Sequence, residues 1–103
     1  MTAIYHAPDL KRIATRPVKA RAIQFLYQET TDETIRYVRK IEACLGVTIT
    51  CANDQGALFC HLEIDRLRSP ILNQGDWVVV DSFGKASAVK ADDFKVYYEP
   101  ELA

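Results

Sequence analysis

The sequence GDWVVVDSFGK, residues 75–85, decides the fold that we predict for this chain. Its first two residues, Gly75 and Asp76, favour a tight turn, because glycine tolerates positive φ and aspartate hydrogen-bonds to nearby backbone. The four apolar residues that follow include three β-branched valines, which is typical of a buried strand. Gly84 permits a second reversal, so we expect residues 85–90 to pair antiparallel with that strand.

One helix and one hairpin are predicted before this segment. Thr30 and Glu33 have the spacing of a capping box, and Gly46 stands where a left-handed residue often ends a helix. Between these ends, apolar residues at helical spacing predict the buried face: Ile35, Val38, Ile41 and Leu45. Residues 47–51 and 57–64 alternate between apolar and polar side chains on either side of a turn at 53–56, which predicts a hairpin.

The remaining segments complete a small α+β domain. Residues 18–26 predict the first strand, and their change of phase indicates either that both faces are buried or that a bulge lies near Ala22. Residues 92–94 predict a helical turn, and residues 96–98 a short closing strand. We therefore predict a single α+β domain over residues 17–103, in which an antiparallel sheet of about five strands, in the order β-α-β-β-β-β, packs on one α-helix. Residues 1–16 form a basic N-terminal arm in this prediction.

Composition and charge place the chain in the ordinary globular class. Of its 103 residues, 49% are hydrophobic and 26% are charged. No apolar run reaches the roughly 18 residues that span a bilayer, so we expect no membrane association. Because the N-terminus also lacks an apolar signal segment, we expect a cytoplasmic location.

The charge is divided unevenly along the chain. Residues 1–21 carry five Lys or Arg and one Asp, whereas residues 22–103 carry eight Lys or Arg and thirteen Asp or Glu. A basic arm can bind polyanions, and it can equally pair with the acidic body of a second copy in a homo-oligomer.

No motif in the sequence indicates catalysis. Cys44, Cys51 and Cys60 lack the Cys-x-x-Cys spacing of a zinc site, and the neighbours Cys60 and His61 leave a strand on opposite faces. We interpret the cysteines as reduced, mostly buried thiols. The four glycines are isolated rather than gathered in a phosphate-binding loop, and no serine lies in a nucleophile elbow. We therefore expect no enzymatic activity, no metal and no cofactor.

Residues that favour contact with a partner lie in the second hairpin strand and in the loop after it. Phe59 shares a strand face with His61 and Glu63, and an exposed aromatic beside charge is typical of a protein-binding hot spot or a base-stacking platform. The partner-binding residues that we predict are Phe59, His61, Arg66 and Arg68. The alternative site, for a polyanion, consists of Lys11, Arg12, Arg16, Lys19 and Arg21.

Four short motifs resemble a group of small proteins encoded in bacteriophage and prophage genomes. These proteins carry a KPVxxxAIQF strand, a helix, a hairpin, a GDW(I/V)(I/V) strand, a G(E/K) reversal and a closing FxxxY. The matching pieces here are RPVKARAIQF at 16–25, GDWVVV at 75–80, GK at 84–85 and FKVYY at 94–98. The chain departs from the pattern in its longer basic N-terminus and in Lys85, where an acidic residue is common. The resemblance implies a phage-type accessory protein that acts in the cytoplasm of a bacterial host cell, and it supplies no catalytic residue.

Three functions follow from these observations. The first is a non-enzymatic binding module that inhibits or modulates a host bacterial protein, for example one that serves in anti-phage defence. The second is nucleic-acid binding through the basic arm, which the acidic body opposes because it repels phosphate. The third is a homo-oligomer that sequesters nucleotides.

Overall fold

The computed structural model describes residues 11–14, 19–66 and 68–100. These residues form eight strands and two helices. In chain order the elements are β1 (Lys11–Ala14), β2 (Lys19–Gln24), α1 (Thr31–Leu45), β3 (Thr48–Asp54), β4 (Ala57–Glu63), β5 (Ile71–Leu72), β6 (Trp77–Asp81), β7 (Ala86–Val89), α2 (Ala91–Tyr97) and β8 (Glu99–Pro100).

The larger sheet is antiparallel, with its strands in the order β7-β6-β2-β1-β8. Asp76 holds the turn that leads into β6, because its Oδ2 accepts a hydrogen bond of 2.8 Å from the backbone N–H of Asn73. Gly84, with φ of 83°, reverses the chain between β6 and β7, which pair antiparallel. The strand and reversal predicted from residues 75–85 are therefore confirmed.

The smaller sheet has the order β3-β4-β5. Gln55 and Gly56 have φ of 51° and 82°, so two residues suffice to connect β3 to β4 in the primed turn that matches strand twist. Cys51 lies directly opposite Cys60 in this hairpin. The predicted hairpin is confirmed, and the two residues of β5 add a third strand beside β4.

Helix α1 begins and ends where the sequence predicts. The Thr30 hydroxyl oxygen accepts a hydrogen bond of 3.1 Å from the N–H of Glu33, and the hydroxyl donates to the Glu33 carboxylate at 3.0 Å. Gly46 is left-handed, with φ of 70°, and its N–H donates to the Glu42 carbonyl at 2.8 Å. Both ends of the helix therefore have partners for backbone groups that the helix itself leaves unpaired.

The buried face of α1 packs against both sheets in one core. The larger sheet contributes Ile23, Val78 and Val80, together with Phe25 just after β2, and the smaller sheet contributes Ile49, Cys60, Leu62 and Leu72. Val38, Ile41 and Leu45 lie on the buried face as predicted, but Ile35 is only partly buried. Tyr37 and Thr34 are buried in its stead.

Hydrogen bonds explain why two polar residues replace Ile35 in the interior. The Tyr37 hydroxyl donates to the Gln24 carbonyl at 2.7 Å, and the Thr34 hydroxyl donates to the Thr30 carbonyl at 3.0 Å. Burial of a hydroxyl costs little when it is hydrogen-bonded. Hydrophobicity alone does not indicate such positions.

The second face of the larger sheet is covered by α2. Phe94 is the buried residue of this helix, and it packs in a second core cluster with Ala20, Ala22 and Val79. Its ring stacks on that of Trp77, with centroids 4.0 Å apart and planes at 6°. Both faces of β2 are therefore buried, and its unbroken register with β6 excludes the alternative of a bulge.

The α+β class is confirmed, and three details differ from the prediction. The strands divide between two sheets rather than one, because the apolar side chains of α1 serve both. Lys11–Ala14, assigned to the arm, forms β1, which pairs with β2. Val96 and Tyr97, predicted as extended, belong to the last turn of α2, where helical spacing brings the rings of Phe94 and Tyr98 within 5.0 Å.

Candidate functional site

The outer face of the smaller sheet is the part of the structure that best fits a binding surface. Because side chains alternate along a strand, this face carries the residues that do not point into the core. We call this set the small-sheet outer face, and it consists of Thr48, Thr50, Ala52, Asp54, Ala57, Phe59, His61, Glu63 and Ile71. The larger sheet contrasts with it, since both of its faces contribute to core clusters.

Phe59 and Ile71 are the large apolar residues of this face. They are 37% and 47% exposed, on neighbouring strands. His61 lies between them in the pairing scheme, opposite both Thr50 and Ile71, and its Nδ1 lies 3.4 Å from the Ser69 carbonyl oxygen. The structure therefore brings together two of the predicted partner-binding residues, Phe59 and His61, and adds Ile71. Ile71 is not among the partner-binding residues that the sequence predicted.

The two arginines in the loop between β4 and β5 differ in whether they are paired with a carboxylate. Arg66 is exposed and forms no ion pair with any residue that the structure describes. Arg68 is held by Asp65, because its Nε and Nη2 donate to one carboxylate oxygen at 3.0 and 2.9 Å. Of the two, Arg66 is thus the more available to a partner.

Two residues of the alternative, polyanion-binding site are neighbours in the larger sheet, because the β1–β2 register places Arg12 directly opposite Arg21. Lys11 and Arg12 lie on β1 and Lys19 on β2, while Arg16 lies outside the described residues. The guanidinium of Arg21 is half-buried and donates to the Cys44 carbonyl at 3.0 Å, at the end of α1. Arg21 therefore already has a structural partner near the helix C-terminus, where positive charge is favourable.

On the inner face of the smaller sheet, Cys51 and Cys60 bring their sulfur atoms within 3.7 Å. Cys60 is fully buried and Cys51 is half-buried. Burial, the hydrogen bond with Cys51 and the charge of Cys51 together raise the pKa of Cys60 to about 12, against a smaller lowering by Arg39. Burial also raises the pKa of Tyr27, whose hydroxyl donates to the Leu58 carbonyl at 3.1 Å. Within the described ranges, no group of three or more His, Cys, Asp or Glu could hold a metal ion.

Among the described residues, four other large apolar side chains are exposed, and one of them is Tyr27. Phe83, in the turn between β6 and β7, is 83% exposed, and Val96 and Tyr97 on α2 are also exposed.

No protein-family model matches the chain, and neither a curated protein nor a solved structure matches it. The resemblance to phage-encoded accessory proteins therefore stays a prediction. Neither of the helices in the described part of the chain combines the length and the apolar character needed to cross a membrane.

Proposed function

We infer that this chain is a protein-binding module and that the small-sheet outer face is its contact surface. The observation that carries the proposal is the exposure of Phe59 and Ile71 at diagonal positions on the paired strands β4 and β5, whose reverse side belongs to the core. Apolar anchors on a rigid surface bind at low entropic cost, and a polar surround is typical of hot spots. Thr50, His61 and Glu63 supply that surround.

The size of this surface indicates which neighbouring residues take part. A seven-residue strand is about 24 Å long, and three strands lie about 4.8 Å apart, so the face covers roughly 300 Å². A stable protein interface buries about 800 Å² on each partner. A partner therefore also has to contact the flanks of the sheet, and exposed Arg66 in the β4–β5 loop is the neighbouring charge best placed to pair with an acidic group.

A protein partner fits this surface better than a nucleic acid does. Glu63 and Asp54 place carboxylates on the same hairpin, and carboxylates repel phosphate. Arg21, one of the five basic residues of the alternative site, already contacts the Cys44 carbonyl. The phage resemblance supports a partner from a bacterial host cell, and inhibition or modulation of that partner is the activity that we propose.

Truncation of the two anchors tests the proposal. The double variant F59A/I71A removes both side chains from the proposed surface, and F83A is its matched control because Phe83 is an exposed aromatic elsewhere. Proteins captured from bacterial lysate by the wild type are identified, produced separately and titrated by calorimetry. We expect F59A/I71A to weaken binding by about 30-fold or more, which corresponds to hot-spot residues, and F83A to bind as the wild type does.

The other outcomes are equally decisive. Equal affinity of F59A/I71A and the wild type for a captured protein would overturn the assignment of the surface. If the wild type captures nothing above background, the binding-module proposal itself is wrong. Titration with labelled DNA and RNA at two salt concentrations tests the polyanion alternative, for which affinity has to fall steeply with salt.

A further inference from the structure

We propose that Cys51 and Cys60 form a reversible intramolecular disulfide by exchange with low-molecular-weight disulfides. The first observation is the sulfur–sulfur distance of 3.7 Å between two thiols that lie directly opposite each other in the β3–β4 hairpin. The second is the type of pair that they occupy. Both concern the inner face of the smaller sheet, and the proposal does not depend on how a partner binds to the outer face.

The hydrogen bonds of β4 reveal the type of pair. The N–H of Leu62 donates to the Pro70 carbonyl at 3.0 Å, so the backbone of Leu62 points away from β3. Cys60 lies two residues earlier, so its backbone N–H and C=O groups also point away from β3. Cys51 and Cys60 therefore form a non-hydrogen-bonded pair. The Cα atoms of such pairs are about 4.5 Å apart, near the lower limit of the range that disulfides span. That separation lies within the range, so the disulfide can form without backbone movement, and low-molecular-weight thiols can reduce it again by the reverse exchange.

The two sulfur atoms differ in exposure, and this difference indicates which of them reacts first with the external disulfide. Cys51 is half-buried and accessible to a small reagent, whereas Cys60 is fully buried. The Cys51 thiolate attacks a disulfide RSSR, one RS⁻ leaves and takes up a proton, and a mixed disulfide forms on Cys51. Cys60 then gives up its thiol proton as its sulfur attacks the Cys51 Sγ, the second RS⁻ leaves and takes up a proton, and the protein disulfide results. Two protein thiols are oxidised and one RSSR is reduced to two RSH.

Glutathione redox buffers of graded composition provide the test. Native protein is equilibrated, free thiols are alkylated, and the number and position of the labels are read by intact-mass and peptide mass spectrometry. We expect oxidising buffer to reduce the free thiols from three to one, with the remaining label on Cys44. C44S should form the same disulfide, and C60S should instead retain a glutathione adduct on Cys51. Far-UV circular dichroism of each variant shows whether it is folded.

A parallel measurement on unfolded protein separates native proximity from chance encounter. In concentrated urea we expect the equilibrium constant for forming the disulfide to fall by about tenfold or more, because the folded hairpin already holds the thiols together. The proposal is wrong if the native wild type keeps three free thiols in oxidising buffer, if the disulfide includes Cys44, or if urea leaves the equilibrium constant unchanged.

Discussion

Removal of the Phe94 ring is expected to detach α2 from the larger sheet. Phe94 is the buried residue of α2, 9% exposed, and it stacks against Trp77 on one side and Tyr98 on the other. The N-cap residue, Lys90, makes no side-chain capping bond, and a seven-residue helix is marginal in isolation. Packing of this one ring therefore provides most of the stability of the helix in its native position.

The packing of Phe94 indicates how much unfolding free energy F94A should lose. Substitution of a buried Phe by Ala costs about 3–5 kcal/mol, and each stacked aromatic pair is worth about 0.5–1.5 kcal/mol of that. Since Phe94 lies at the edge of the structure rather than in the main core, we expect F94A to lose about 3 kcal/mol. With a urea m-value of about 1.5 kcal/mol/M, the unfolding midpoint should fall by about 2 M.

Tryptophan fluorescence is the natural assay, because the chain has one Trp and it lies beneath Phe94. We expect F94A to shift Trp77 emission to longer wavelength in native buffer, and circular dichroism to show loss of α2 while the 15 residues of α1 stay helical. Y97A is the control, since Tyr97 is 68% exposed on the same helix and its loss should change stability by no more than about 0.5 kcal/mol. Unchanged emission together with a loss under about 1 kcal/mol in F94A would refute this reasoning.

Two further substitutions, T30A and Q55N, and a rise in pH should each change the stability of the fold. T30A removes the N-cap of α1 and should cost about 1 kcal/mol in urea unfolding, whereas T31A, one residue into the helix, should cost clearly less. Q55N should stabilise the hairpin turn by a few tenths of a kcal/mol, because Asn tolerates the positive φ of 51° better than Gln does, and a lower midpoint would contradict the turn assignment. The thiol of Cys60 has a pKa of 9.0 in the unfolded chain and of about 12 in the folded protein. As the pH rises above 9.0, the unfolded chain therefore loses this proton while the folded protein keeps it. The free energy of unfolding should fall by up to about 1.4 kcal/mol per pH unit between pH 9.0 and about 12. Parallel titration of C60A, which should lack this part of the slope, isolates the thiol from the other groups that ionise there.

Local chemistry made much of the fold predictable from the sequence. Thr30 and Gly46 bound α1 because they satisfy backbone groups within a few residues of themselves. Gly56 favours the β3–β4 turn because it readily adopts a positive φ. The alternation of apolar and polar residues in β3 and β4 determines which face of each strand is buried. These features depend on contacts close in sequence, and all of them are confirmed.

The division into two sheets was not predictable in the same way. Alternation shows that Val78 and Leu62 are buried, but it does not show that they belong to different sheets on one helix. The four residues of β1 are too few to show an alternating hydrophobic pattern, and they form a strand because they pair with β2. At the candidate site, Phe59 and His61 follow from alternation, whereas Ile71 joins them only because β5 adds to the edge of β4.

The pairing of β2 with β6 has a consequence for the order of folding. Gln24 lies opposite Trp77, so this contact closes a loop of more than fifty residues. Such closure is entropically costly and slow, whereas the β3–β4 hairpin and α1 form from neighbours in the chain. We therefore expect α1 and the hairpin to assemble early in refolding, and the centre of the larger sheet to close last. On the ribosome, β2 has to wait for its principal partner until residue 81 has emerged from the exit tunnel.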